Sequence, residues 1–341
     1  MTHQRGHRSP EPKEKGKLIG RRSLLQGTLA GAALTAMGAA SAQASTQRTA
    51  PFSAGTARAG YRVPGQATDC HIHVLDPDRF PYPNPTSTPP PKATVDDYRL
   101  LQGRTGTKRT VVVTPSNYST DNRCTLDAIS QLGLHTARGV AVIDASFTRS
   151  QLLELDSAGI RGIRFNLTRP GGAGNELIRP LAARIADLGW HVQIHMTADG
   201  ILENLDRLTD LPTDLVIDHM GRIPGPSGTS HPAYAAISRL LDGGKTWVKL
   251  SGVYLESHDG PPSYTDRAAI GAAFVAQAPE RMVWGSDWPH TTASRGEVPI
   301  PDDSAMLDLF ASWVPKQQDR KRILVDNPEK LYGFPASSEN A

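Results

Sequence analysis

What this chain has little of narrows its class. Two cysteines, Cys70 and Cys124, in 341 residues are too few for a disulfide framework. No disulfide is expected, and Cys70, set in an apolar stretch, reads as a small buried hydrophobe. The chain lacks a run of roughly 20 strongly apolar residues, the length a membrane span requires. No Gly-x-Gly-x-x-Gly follows the first strand, which removes the dinucleotide-binding signature. Basic charge is missing where a nucleic-acid surface would need it. Residues 1–44 hold seven Lys/Arg against two Glu, whereas the remainder holds 30 basic against 32 acidic residues, so the net +3 belongs to the head alone.

That head carries Arg21-Arg22 before Ser23-Leu24-Leu25, runs through an Ala/Gly-rich apolar stretch to Ala40, and ends in the small-x-small pattern Ala42-Gln43-Ala44. It is expected to be a twin-arginine-like signal peptide over 1–44, read by the twin-arginine export machinery and leaving a periplasmic or secreted mature chain. Gly20 and Gln26 depart from the usual flanks, and general secretion or a disordered basic tail are the alternatives. Residues 45–66, polar and aperiodic, are expected to be a flexible linker. A single barrel domain over 67–336 and a tail over 337–341 complete the expected organisation.

Eight β-branched or apolar segments bounded by Gly, Pro or charge are expected to be strands: 68–73, 109–114, 139–144, 162–167, 191–196, 215–219, 246–251 and 282–286. Between them lie stretches of helical period, such as 177–188 and 264–278. Eight β-then-α units in series favour an α/β fold of the closed (β/α)8 barrel type over a doubly wound sheet. Residues 76–93 are too Pro-rich for a helix and are expected to overhang the barrel mouth as a rigid lip.

A parallel barrel places function where the strands' C-terminal ends open. His71 and His73, spaced i, i+2, point the same way from strand one. Ser116 and Asn117 follow strand two, Arg164 and Asn166 lie on strand four, His195 ends strand five and His219 ends strand six. Tyr254 follows strand seven and Asp287 ends strand eight. Any one strand histidine is more often a hydrogen-bonded structural residue than a ligand. The joint pattern points to an active site.

The order His-x-His, His, His, Asp resembles the amidohydrolase superfamily. The phrases DCHIHV (69–74), GIRGIRFNL (159–167), VIDHMGR (216–222) and VWGSDWPH (283–290) resemble its amidohydrolase-related lactonase branch, which includes 2-pyrone-4,6-dicarboxylate lactonase and 4-sulfomuconolactone hydrolase. The similarity spans roughly 67–334. The resemblance implies an amidohydrolase-type TIM barrel that hydrolyses an ester bond of a small lactone, anionic or derived from a sugar acid. The superfamily's binuclear members bridge two metals with a modified Lys on strand four; Arg164, Phe165 and Asn166 stand there instead, which argues against a binuclear site. The pyrone-dicarboxylate lactonase works without metal and has Tyr where this chain has His195. His71, His73, His195 and Asp287 would hold one divalent ion, zinc by donor type. A metal-independent site is the alternative.

Lactone hydrolysis needs an activated water, a polarised carbonyl and a proton for the leaving oxygen. Asp287 is expected to be the general acid/base and His219 the carbonyl donor or proton shuttle. Arg164 is expected to fork onto a substrate anion. Arg222 and Arg169 are loop candidates for the same task, Tyr254 and Ser116 for bonds to the substrate ring, and Tyr82 for a cap from the lip. Three other readings stay open. D-galactarolactone isomerase, which the segments GVYLES and DNPEKLYGF also resemble, lacks the first His of the pair and has Asn at the final carboxylate. A decarboxylase of the superfamily and a non-catalytic periplasmic binding protein are the others.

Overall fold

A computed structural model describes residues 49–83, 89–168 and 173–336. The expected signal peptide and tail, residues 84–88 of the expected lip and the candidate Arg169 lie outside the described residues. Eight strands form one all-parallel sheet in the order of the sequence: β1 Thr68–Ile72, β2 Arg109–Val113, β3 Ala137–Ala141, β4 Ile160–Asn166, β5 His191–His195, β6 Leu215–Ile217, β7 Thr246–Leu250 and β8 Met282–Trp284. The sheet closes at a seam where Asp287 N–H donates to His71 O (2.9 Å), His73 N–H donates to Trp288 O (2.8 Å), and Ile72 bridges to Trp288 in parallel. Gly285 makes that approach possible, because a Cβ there would lie 2.7 Å from His71 Cβ and 2.9 Å from its backbone nitrogen.

Helices follow the strands as the periodicity predicts. Val95–Thr105 starts on a capping box of Thr94 and Asp97, and Arg149–Ser157 on one of Thr148 and Gln151. The expected helix over 264–278 is found as Thr265–Gln277. The one over 177–188 is α-helical only at Ile178–Ile185, with a tighter 3₁₀ turn on each side. No strand keeps both of its expected ends. β3 and β4 start two residues early and β3 stops at Ala141; β6 stops at Ile217 and β8 at Trp284, ahead of His219, Met220, Gly221, Arg222 and Asp287, whose positive φ no strand can accommodate.

The expected linker is also different. Its described part, 49–66, is fastened to the barrel domain. The buried Arg104 guanidinium donates to Ser53 Oγ, Ala54 O, Ala57 O and Asp302 Oδ1. Gly60 and Tyr61 N–H donate to the Asp308 carboxylate, and Trp288 Nε1 donates to Pro51 O. Polar composition concealed this, since the anchoring groups belong to distant elements.

Apolar side chains form two clusters. The larger packs strands against helices. The smaller joins Cys70, Val111, Val113, Val140, Val216, Trp247 and Val283 to Leu331, Tyr332 and Phe334 near the C-terminus. Cys70 and Cys124 are buried and free.

Candidate active site

Alternation along the strands places a polar layer at one level of the barrel. His71, Arg164, Gln193, Asp218 and Lys249 are all at most 4% exposed, and each touches at least one other member of the group. Asp218 is its electrostatic centre. Its Oδ2 accepts from Arg164 Nε (3.1 Å) and Gln193 Nε2 (3.0 Å); its Oδ1 lies 3.3 Å from His71 Nδ1 and 3.7 Å from Lys249 Nζ. Burial pushes the Asp218 carboxyl up, but His71, Lys249 and Arg164 outweigh it and hold the group well below the usual range. Lys249 donates to Cys70 O (2.9 Å) and Gln193 Oε1 (2.8 Å) and lies 3.2 Å from His71 Nδ1; burial brings its ammonium down to about 8.

A second group surrounds Asp287 Oδ1. His71 Nε2 is 3.5 Å away, His73 Nε2 3.8 Å and His219 Nε2 3.8 Å. His71 Nε2 and His73 Nε2 stand 3.3 Å apart, and His73 Nδ1 donates to Val113 O at 2.7 Å. Tyr254 donates its hydroxyl to Asp287 Oδ2 at 2.5 Å, and burial together with the Asp287 charge keeps that phenol protonated far above its ordinary value. Burial also depresses the imidazoles. His71 and His195 fall well below the ordinary histidine value, His219 falls below it, and His73, with Arg164's charge added, falls to about 4. All four are neutral at pH 7.

His219 owes its position to a left-handed run, φ 53°, 55°, 64° and 47° over His219, Met220, Gly221 and Arg222. Each non-glycine residue there costs roughly 1–2 kcal/mol relative to ordinary backbone. Buried Arg267 holds the run by donating to His219 O at 3.0 Å, and Ser251 Oγ meets His219 Nδ1 at 2.9 Å. Gly252 leaves the room, since a Cβ there would meet His219 Nδ1 at 2.8 Å.

His195 stands apart from the other expected ligands. Arg164 Nη2 donates to its Nδ1 at 3.2 Å, which puts the His195 proton on Nε2, a buried atom with no hydrogen-bond partner among the described residues. Its nearest grouping is with Asp218 and His219, and His219 rather than His195 joins His71 around Asp287. Arg164 is correspondingly committed: two of its three nitrogens serve Asp218 and His195.

A cavity opens over these groups, lined by His73, Ser116, Asn117, Arg164, Asn166, His195, His219, Asp287 and, on its loops, Thr168, Thr292, Arg222 and Arg295, so the expected Arg164 faces it. Ser116 Oγ accepts from Asn166 Nδ2 at 2.8 Å. Arg222 pairs with Glu256 and Arg295 with Glu297, while Arg222 Nε and Arg295 Nη2 are buried donors with no hydrogen-bond partner among the described residues. Tyr82 is not among the lining residues; its ring packs on Tyr118, centroids 5.0 Å apart. A larger groove of about 660 Å³ between Tyr61–Gln66 and Gln317–Val325 gathers none of the histidines.

Sequence reasoning missed Lys249, Gln193, Asp218, Ser251 and Arg295. A signal existed for two of them: a charged Lys249 on β7 and a hydroxylic Ser251 just past its end alternate with apolar residues.

The three atoms His71 Nε2, His73 Nε2 and Asp287 Oδ1, separated by 3.3 to 3.8 Å, suit one small cation, since metal bonds of about 2.0–2.1 Å in tetrahedral array separate ligand atoms by roughly 3.3 Å.

Residues 68–334 match the amidohydrolase family model. The chain is 32% identical to the 4-sulfomuconolactone hydrolase of Rhizobium radiobacter over 84% of its own length and 94% of that protein. It is 34% identical to the D-galactarolactone isomerase of Agrobacterium fabrum over 79% and 91%. A crystal structure of an Agrobacterium tumefaciens protein in its apo form superposes with a TM-score of 0.73 at 32% identity, covering 81% of this chain and 98% of that one. With its barrel, its strand-end histidines and these likenesses, the chain belongs to the amidohydrolase family.

Proposed function

We propose that this enzyme hydrolyses a lactone, with Asp287 as general acid/base. The carrying observation is Asp287 itself: a carboxylate with one oxygen held by Tyr254 and the other facing three neutral imidazoles at the cavity floor. Asp287 Oδ1 accepts a proton from water as the water oxygen attacks the lactone carbonyl carbon. The tetrahedral oxyanion that forms is met by donors. His195 Nε2–H is one, and with Ser251 donating to its Nδ1, His219 presents Nε2–H as another. Collapse breaks the ring C–O bond, and Asp287 returns its proton to the departing oxygen, leaving a free carboxylic acid and a hydroxyl.

His71, His73 and Asp287 are the residues that would hold a single divalent ion, zinc by donor type. Such an ion supplies Lewis acidity and lowers the pKa of bound water toward about 7. Substrate anions are met by Arg164, which lines the cavity and has one guanidinium nitrogen left after Asp218 and His195, with Arg222 and Arg295 on the loops around it. The likeness to an isomerase supports a second reading on the same scaffold. The experiment that separates them is turnover of a panel of carboxylated and neutral lactones in ¹⁸O-water. Hydrolysis adds one labelled oxygen to the product acid, with carboxylated lactones turned over best; an unlabelled isomer as sole product sinks the hydrolase reading.

A further inference from the structure

Lys249 is the group in the barrel that the chemistry above leaves without a task. A fully buried ammonium is expensive unless its hydrogens are placed, and two of the three go to Cys70 O and Gln193 Oε1. The third has two destinations, His71 Nδ1 at 3.2 Å and Asp218 Oδ1 at 3.7 Å. That choice fixes where His71 carries its proton.

The neighbouring contacts decide it. His73 Nδ1 sits 2.7 Å from a carbonyl, which only accepts, so His73 is protonated on Nδ1 and bare on Nε2. His71 Nε2 lies 3.3 Å from that bare nitrogen, and the contact is attractive only when His71 Nε2 carries a hydrogen. His71 Nδ1 is then an acceptor, which is what Lys249 needs. The other wiring turns His71 Nδ1–H to Asp218 Oδ1, 3.3 Å away, and leaves two bare Nε2 atoms facing each other, an arrangement that requires a cation between them.

We propose that Lys249 is a positioning residue: it donates to His71 Nδ1, fixes the His71 proton on Nε2, and so sets a Lys249→His71→His73→Val113 donor chain that opposes metal binding by the histidine pair. The inference deepens the reading of the same site, but its test needs no substrate and survives failure of the lactonase reading.

The test uses zinc and ¹⁵N-histidine spectra of the metal-free full chain. Wild type should show His71 protonated on Nε2 and bind zinc weakly in competition with a chromogenic chelator. Lys249→Met should move the His71 proton to Nδ1, facing Asp218, and bind zinc at least about tenfold more tightly, the worth of one charged hydrogen bond. A simple change of charge would alter zinc affinity without moving the proton, so the two readouts are taken together. His71 protonated on Nδ1 in wild type overturns the proposal, as does a folded Lys249→Met chain with unchanged or weaker zinc affinity. Should that variant not fold, the wild-type spectrum decides alone.

Discussion

Two buried aspartates stand at the mouth of this barrel, and they are built for opposite tasks. Asp218 is 1% exposed; its Oδ2 accepts from Arg164 and Gln193, while its Oδ1 makes no hydrogen bond among the described residues and lies near His71 and Lys249, closed off from the cavity. Asp287, 7% exposed, has one strong partner, Tyr254, and turns its other oxygen to neutral rings and the cavity. Equal chemistry in unequal surroundings separates a charge that holds the site from one that does the work. Charge at Asp218 is compensated by neighbouring cations; one oxygen of Asp287 is left facing the cavity.

The comparison breaks most visibly at Asp218. Asp218→Asn strands two cations in the barrel, and breaking a buried pair costs roughly 3–5 kcal/mol; urea unfolding should register a loss of that order. Because the folded carboxyl is held well below its unfolded value near 3.9, its contribution is present above about pH 4 and lost as pH falls through the folded value. Wild type should therefore show an acid limb in its stability profile that the Asn variant lacks. A variant as stable as wild type at pH 7 would remove the holding role.

A smaller effect comes from His290, which sits behind Tyr254 and pairs with Asp303 through Nε2 at 3.0 Å. Burial opposes its charge, but Asp303 outweighs burial and raises the imidazole above its ordinary value. The sign is opposite to that of Asp218. This stability is fully present below the unfolded value near 6.5 and is lost as pH rises through the raised one. His290→Gln should flatten the decline in urea midpoint as pH rises above about 6.5; an unchanged slope would place the decline elsewhere.

Much of this was legible in the sequence. Eight periodic segments are legible as the barrel; strand periodicity sets the inward side of His71, while His219 and Asp287 follow their strands in left-handed backbone and only their place at the strand ends was legible. The grouping beyond that was not legible. His195 and His219 differ in surroundings only because Arg164 reaches one and Ser251 the other, across different strands. Lys249 stands out in the sequence as a charge inside an apolar strand, but its contact with His71 follows only from closure of the barrel. Residues 49–66 look like a tether because Arg104 and Asp308, which fasten them, lie far along the chain.

The central claim, that Asp287 is the proton-accepting carboxylate and Asp218 the structural one, is tested most directly by kcat of Asp287→Asn on the best lactone of the panel, with thermal stability measured in parallel. A fall of about two to four powers of ten in kcat with stability near wild type is expected, since the amide keeps the shape but takes no proton from water. Turnover near the wild-type rate in a folded Asp287→Asn chain would contradict it.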